Sequence, residues 1–279
     1  MPRWTVDSPI TLDFDQVTAL RVRVISGSVA VLAAGDRCCL DIDHVTGPPL
    51  QVSHSGGVLT ISYEDLSWEN LPGWLKPQPH SAAITVTVPP GCPVQLGTAT
   101  ARAVVSGITA PASVKTVSGK VVLDGVTGTV DASTVSGDVD AQAVTGTIGL
   151  RSVSGDLTLA GGSVSRMRAK TLSGRITADI DLDAAGRVSV GTVSGPVAIR
   201  LPGQAAAQVD LRSGAGRVCS EFPGLRSSHA PGATMLNGQL GAGGPGQVRV
   251  RSMSGPITLL RRDDPPPAPQ AASPAGGAR

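Results

Sequence analysis

The sequence predicts an all-β fold: a single-chain, β-helix-like solenoid with about 18–21 residues per coil. Three observations predict it. A Val-Ser-Gly motif recurs in phase along the chain, and self-similarity at a fixed period marks a repeat architecture. Apolar residues around each motif alternate with the period of a strand. Val and Thr dominate these segments, and no stripe of period 3.6 runs through them, which excludes helix.

The motif stands at Thr116-Val-Ser-Gly119, Thr134-Val-Ser-Gly137, Ser152-Val-Ser-Gly155, Thr171-Leu-Ser-Gly174 and Thr192-Val-Ser-Gly195, with glycine spacings of 18, 18, 19 and 21. Thr127-Gly128 and Thr145-Gly146 fall halfway between the first three, so the unit reads as nine residues, two to a coil. The +2, +4 and +7 positions after each glycine are apolar: Val121, Leu123, Val126; Val130, Ala132, Val135; Val139, Ala141, Val144. The first two of each set have strand spacing, and the odd step to +7 requires a bend. Asp124-Gly125, Ser133-Thr134 and Gln142-Ala143 suit that corner. The Ser/Thr-Gly pair makes a second corner, where glycine is expected at positive φ. By this count a coil buries about six apolar side chains, at roughly 2 kcal/mol each. Ordering its backbone costs about 1–2 kcal/mol per residue. A coil is therefore stable only when stacked, with Val121, Val139, Leu157, Ile176 and Val197 in one inward column.

In chain order, residues 1–95 form an irregular N-terminal β region and cap, continuous with the solenoid. Its strands are Leu20–Val24, Ser28–Leu32, Val58–Ser62 and Ala83–Val88, and Ile25-Ser-Gly-Ser-Val29 reads as an early coil. Residues 96–261 are the Val-Ser-Gly solenoid, with an irregular loop at 219–245 and a last coil at 246–260. Residues 262–279, a Pro/Ala/Gly tail, are expected to be disordered. Arg261, Arg262 and Asp263 with the following prolines are expected to guard the edge of that last coil.

Composition narrows the function. Net charge is +2 and aromatics make up 2%, five of the six lying before residue 75, so no base-stacking platform exists in the C-terminal two thirds and no nucleic acid is expected as partner. No apolar run approaches eighteen residues, so no membrane span is expected. The N-terminus lacks the apolar region of a signal peptide, and the chain reads as cytoplasmic. Four cysteines, Cys38, Cys39, Cys92 and Cys219, make no disulfide framework.

Each candidate for chemistry has a plainer account. Gly241, Gly243 and Gly246 spell G-x-G-x-x-G, but a strand pattern follows where a dinucleotide site needs a helix, so a loop is expected. Asp138, Asp140 and Asp156 are the best carboxylate cluster, with Asp156 one coil above Asp138. Paired carboxylates can perform general acid–base work on glycosides. The same column carries Lys120 below and Arg175 above, which makes it a surface charge ladder. Asp131 and Asp140 fall within strands, unlike the turn acids of a calcium β-roll. The histidines and cysteines have no zinc-ligand spacing. No metal and no cofactor is expected. Trp68-Glu-Asn-Leu-Pro-Gly-Trp74 is the one aromatic loop; Trp68 and Trp74 either cap the solenoid or contact a partner.

Trp4 and the N-terminal strands, the strand ending Thr85-Val-Thr-Val-Pro-Pro-Gly91, and the serial Val-Ser-Gly motifs resemble the β-strand-repeat family called putative adhesin or toast-rack, over residues 3–261. The resemblance implies a bacterial β-solenoid domain of unknown function with no established catalytic residues. It also implies, for some members, a link to envelope-stress systems of the phage-shock and Lia type. The expected function is a non-catalytic scaffold or adhesin-like protein that binds an unidentified protein partner or itself. The rivals are a carbohydrate-active β-helix enzyme and a self-polymerising cytoskeletal solenoid.

Overall fold

The computed structural model describes residues 3–63, 80–230 and 232–263. All 24 strands among them belong to one continuous hydrogen-bonded sheet, wound so that two faces enclose the core. Among the described residues no helix is long and apolar enough to cross a membrane.

Strands are numbered along the chain. Face A runs, in spatial order, through β1 (Arg3–Val6), β6 (Leu50–Ser55), β7 (Val58–Ser62), β3 (Ala19–Val24), β9 (Val94–Thr98), β11 (Ala112–Thr116), β13 (Thr127–Ser133) and β15 (Thr145–Arg151). It continues through the second halves of β16 (Leu157–Thr171) and β17 (Ile176–Thr192). It ends in β23 (Gly246–Ser252), β19 (Ala207–Ser213), β22 (Ala233–Gln239) and β21 (Arg226–Ala230).

Face B runs through β2 (Ile10–Phe14), β5 (Cys38–Thr46), β8 (Ser81–Val88), β4 (Ser26–Ala33), β10 (Arg102–Ser106), β12 (Val121–Asp124) and β14 (Val139–Gln142). The first halves of β16 and β17 follow, then β18 (Val197–Pro202), β24 (Ile257–Arg262) and β20 (Val218–Ser220). The stacked strands are parallel, and antiparallel strands close face A at both ends and face B at the N-terminal end.

Alternation does the inward sorting, because successive side chains point to opposite faces of a strand. On face B the buried column Val121, Val139, Leu157, Ile176, Val197 forms as the repeat predicts, and it extends to Ala103 on one side and Ile257 on the other. On face A, Val130, Ile148, Met167, Val188 and Val248 meet it across the core. The early coil at Ile25–Val29 turns at Ile25 and runs into β4, which stacks directly on β10. Trp4, Phe14 and His54 pack edge to face at the N-terminal end, with ring centroids 5.3 and 5.8 Å apart.

Four expectations are corrected. First, the two nine-residue halves are not equivalent. Val126 and Val144 are fully buried, but Val135 and Val153, at the same position of the next half, are 48% and 44% exposed. A coil buries five apolar side chains and a threonine, as in Val121, Leu123, Val126, Val130, Ala132 and Thr134. Thr134 turns inward because its Oγ1 accepts the Gly137 N–H at 2.9 Å, and this local turn leaves Val135 on the outside.

Second, positive φ occurs at the Thr-Gly pairs of Gly128 and Gly146, and at Gly107, Gly125, Gly161 and Gly162, but not at the Val-Ser-Gly glycines. At Gly137 and Gly155 a Cβ would lie 2.1 and 1.9 Å from the carbonyl oxygen of the glycine one coil below. Close stacking, rather than backbone conformation, excludes a side chain there.

Third, residues 219–245 contain a strand pair: β21 and β22 form an antiparallel hairpin that lies along β19. Fourth, the coil at 246–260 is not the last. β23 sits between β17 and β19, and β24 sits between β18 and β20. Arg261 and Arg262 therefore do not guard an end. The Arg261 N–H donates to Glu221 at 2.9 Å, and Arg262 pairs with Asp179 and Asp181. The tail from residue 264 lies outside the described residues.

Candidate functional site

The Thr-Val-Ser-Gly corners stack into one long edge of the solenoid. Within each corner the threonine oxygen accepts the glycine N–H, at 3.0 Å for Thr116 and Gly119, 3.1 Å for Thr171 and Gly174, and 3.0 Å for Thr192 and Gly195. Between corners, one carbonyl takes two donors from the coil above: Val135 O accepts from Val153 N at 3.2 Å and Ser154 N at 2.9 Å. The serine hydroxyls donate to the same row of carbonyls, as Ser154 does to Val135 at 3.4 Å. Among the buried side-chain atoms of these corners, the hydroxyls of Ser152 and Ser252, which replace threonine, are left without a partner.

Beside the exposed serines runs a row of outward apolar side chains. Val135, Val153, Leu172, Val193 and Met253 are 48, 44, 51, 36 and 68% exposed. They are five of the seven large hydrophobic side chains exposed among the described residues, and they fall in one row. The coils repeat at about 4.8 Å, so the row is continuous. Beside its start, next to Val117 and Val135, a hollow of ≈ 190 Å³ opens between Thr98, Lys115 and Ser133. The sequence pattern places Val135, Val153, Val193 and Met253 in the core, because each stands at +7 after a glycine of the nine-residue unit.

The carboxylate cluster is brought together, and each member has a local task. Asp138 Oδ1 accepts the Asp156 N–H at 2.9 Å, and Asp156 Oδ1 accepts the Arg175 N–H at 2.7 Å. Asp140 is ion-paired with Lys120 at 2.7 Å. Trp68 and Trp74 lie outside the described residues. Gly241 and Gly243 adopt positive φ in the turn between β22 and β23, with a strand after them rather than a helix. Cys38 and Cys92 are buried, and burial pushes the Cys38 thiol up to about 12. Among the described residues no three of His, Cys, Asp and Glu are grouped to hold a metal.

Sequence reasoning missed one feature. The outer side of face A gathers cations from Arg166-Met-Arg-Ala-Lys170, Arg187 and Val248-Arg-Val-Arg251 onto neighbouring strands. The signal was present as period-2 alternation of basic and apolar residues, hidden by a net charge of +2.

Parallel strands stacked in register around one core, with a threonine ladder inside one edge and a valine ladder outside it, define a repeat β-solenoid of the toast-rack kind. The model of the family described as Toastrack DUF4097 matches residues 113–260, and the chain belongs to that family. Among solved structures it is similar to a putative adhesin from Bacteroides fragilis NCTC 9343, at 14% identity and TM-score 0.40, covering 90% of this chain and 97% of that one. It is similar also to a putative adhesin from Parabacteroides distasonis ATCC 8503, at 10% identity and TM-score 0.40, covering 91% and 97%. A putative cell adhesion protein from Clostridium sporogenes ATCC 15579 follows at 10% identity and TM-score 0.27, covering 91% and 100%. No curated protein matches the chain.

Proposed function

We propose that this protein is a non-catalytic scaffold that makes protein contacts through its Thr-Val-Ser-Gly edge, with a second copy of itself as the first partner to test. The observation that carries the reading is the exposed row Val135, Val153, Leu172, Val193, Met253. Contiguous apolar patches on a rigid framework mark interaction surfaces. The row's backbone is saturated with hydrogen bonds, so its free capacity is for apolar contact rather than strand addition. A role in envelope-stress signalling belongs to the same reading, with the edge as the surface a signalling partner would read.

The test is sedimentation of the parent against Leu172→Lys/Met253→Lys, both positions being more than half exposed. The parent should self-associate with concentration and the double variant should stay monomeric; equal mass distributions would remove the second copy as partner. The same preparations should leave a panel of polysaccharides uncut. Turnover that disappears in Asp138→Asn would instead establish the carboxylate-enzyme reading with Asp138, Asp140 and Asp156.

A further inference from the structure

We infer that the outer side of face A, over β16, β17, β23, β19 and β22, is a binding trough for an acidic polysaccharide. β17 forms the floor, since its outward residues Ser189 and Gly191 are small. One wall is β16, which sets Arg168 beside Ser189 and Lys170 beside Gly191. The other wall is β23, which sets Arg249 and Arg251 beside the same two residues. The walls are two strand spacings apart, about 10 Å. Arg187 closes one end of the floor, next to Arg166.

Charge is concentrated there. Arg166, Arg168, Lys170, Arg187 and Arg251 make no ion pair among the described residues. Asp210 is the one carboxylate that these five strands place in the rows of Arg166, Arg168 and Lys170, and it is shared between Arg212 at 2.7 Å and Arg249 at 3.8 Å; Asp131, in the row of Arg168 but two strands away, is 3.9 Å from Arg151. Cations facing each other across a small-residue floor, Arg168 opposite Arg249 and Lys170 opposite Arg251, suit carboxylate or sulfate groups, which guanidinium groups hold with paired hydrogen bonds.

The adjoining half of the trough is amide-rich. Gln247, Gln208 and Gln239 stand in one row, and Asn237 lies one outward position away. The cationic hollow, ≈ 260 Å³, and the amide hollow, ≈ 360 Å³, lie on either side of β23, and Gln247 and Arg249 line both. Amides donate to and accept from hydroxyls, so this half recognises a chain that carries hydroxyls as well as charge. That favours an acidic sugar polymer over polyphosphate. These five strands contain no aromatic residue to stack on bases or to anchor in a lipid interface, which sets nucleic acid and membrane behind it. The inference goes beyond the scaffold reading, whose contacts lie on the Thr-Val-Ser-Gly edge, and shares with it only that a bound polymer is held and not cut.

The test is fluorescence anisotropy at low salt with labelled polygalacturonate and dextran sulfate. Polyphosphate of matched charge, duplex DNA and neutral dextran serve as comparators, with anionic phospholipid vesicles tested by co-sedimentation. At least one acidic polysaccharide should bind tenfold or more tighter than polyphosphate and DNA. Arg168→Gln/Arg249→Gln should weaken it tenfold or more, and Gln208→Ala/Gln247→Ala should lower polysaccharide affinity while leaving polyphosphate unchanged. Polyphosphate, DNA or vesicles binding as tightly, or no effect of either double variant, would overturn the inference. Thermal melts confirm that these exposed substitutions leave the fold intact. Polymer length after incubation reports separately on the scaffold reading: cleavage would end that reading, whereas the affinity ranking alone decides the trough.

Discussion

At Gly155 a methyl group has nowhere to go: its Cβ would lie 1.9 Å from the Gly137 carbonyl oxygen, and the same contact recurs at Gly174 and Gly195. Backbone meets backbone there, so relief requires two coils to part along a ladder that is paired on both sides. Gly155→Ala should therefore destabilise by about 3 kcal/mol or more, at or beyond the upper end of overpacking penalties. Gly91→Ala is the control, because nothing lies within 4 Å of its Cβ and its φ is outside the left-handed region. Chemical denaturation of the two variants should give a large drop in midpoint for the first and almost none for the second. Equal midpoints would mean that the coils are not stacked this closely. The motif was plain in the sequence, but its reason was not. A Gly at a corner suggests positive φ, and only the stack reveals a steric exclusion between residues 18 apart.

At the scale of elements, the C-terminal coil is latched electrostatically. Asp179 on β17 accepts from Arg200 on β18, and Arg262, at the end of β24, reaches across β18 to pair with Asp179 at 3.0 Å and with Asp181. The hydrogen bond from Arg200, helped by the charges of Arg200 and Arg262, holds the Asp179 carboxyl below its usual range despite partial burial. A carboxyl depressed in the folded state contributes stability above its unfolded pKa of about 4, and that contribution is lost as pH falls through the folded value. Asp179→Asn should thus melt earlier than the parent at pH 7, by no more than about 1 kcal/mol for an ion pair this open to water. The two melting curves should converge as pH falls through the depressed folded value of Asp179. A difference that persists unchanged at low pH would show that Asn disturbs packing instead of removing a charge.

The whole molecule shows which kinds of information a sequence carries. Coil follows coil through residues 97–200, so each inward side chain meets its partner about one repeat away, and period and column were legible. Two features were not. The order of the terminal coils is invisible, because Val197, Ile257 and Val218 are interchangeable fillers of one column and no pattern says which lies between the others. The basic and amide trough is invisible for a related reason: its residues come from segments that only stacking unites. Both ends of the solenoid are interleaved. The coil of β3 and β4 lies between strands that follow it in the chain, β7 and β8 on one side and β9 and β10 on the other. At the other end β23 and β24 wedge between the coil of β17 and β18 and the coil of β19 and β20. In a simple solenoid each coil contacts only its chain neighbours, and an end coil can be removed with local loss. Here, ending the chain at Pro245 takes out an inner layer. β19 and β20 then lose their parallel partners, and the edges of β17 and β18, with the buried Val188, Val190, Val197 and Ile199, face solvent. Unpaired full-length strand edges template pairing with other chains. The shortened protein should therefore show lost amide protection throughout β17–β22 by hydrogen exchange, and a raised mass by light scattering at matched concentration. If β19 and β22 keep their protection and the mass is unchanged, the C-terminal strands are an appendage and not a layer of the stack.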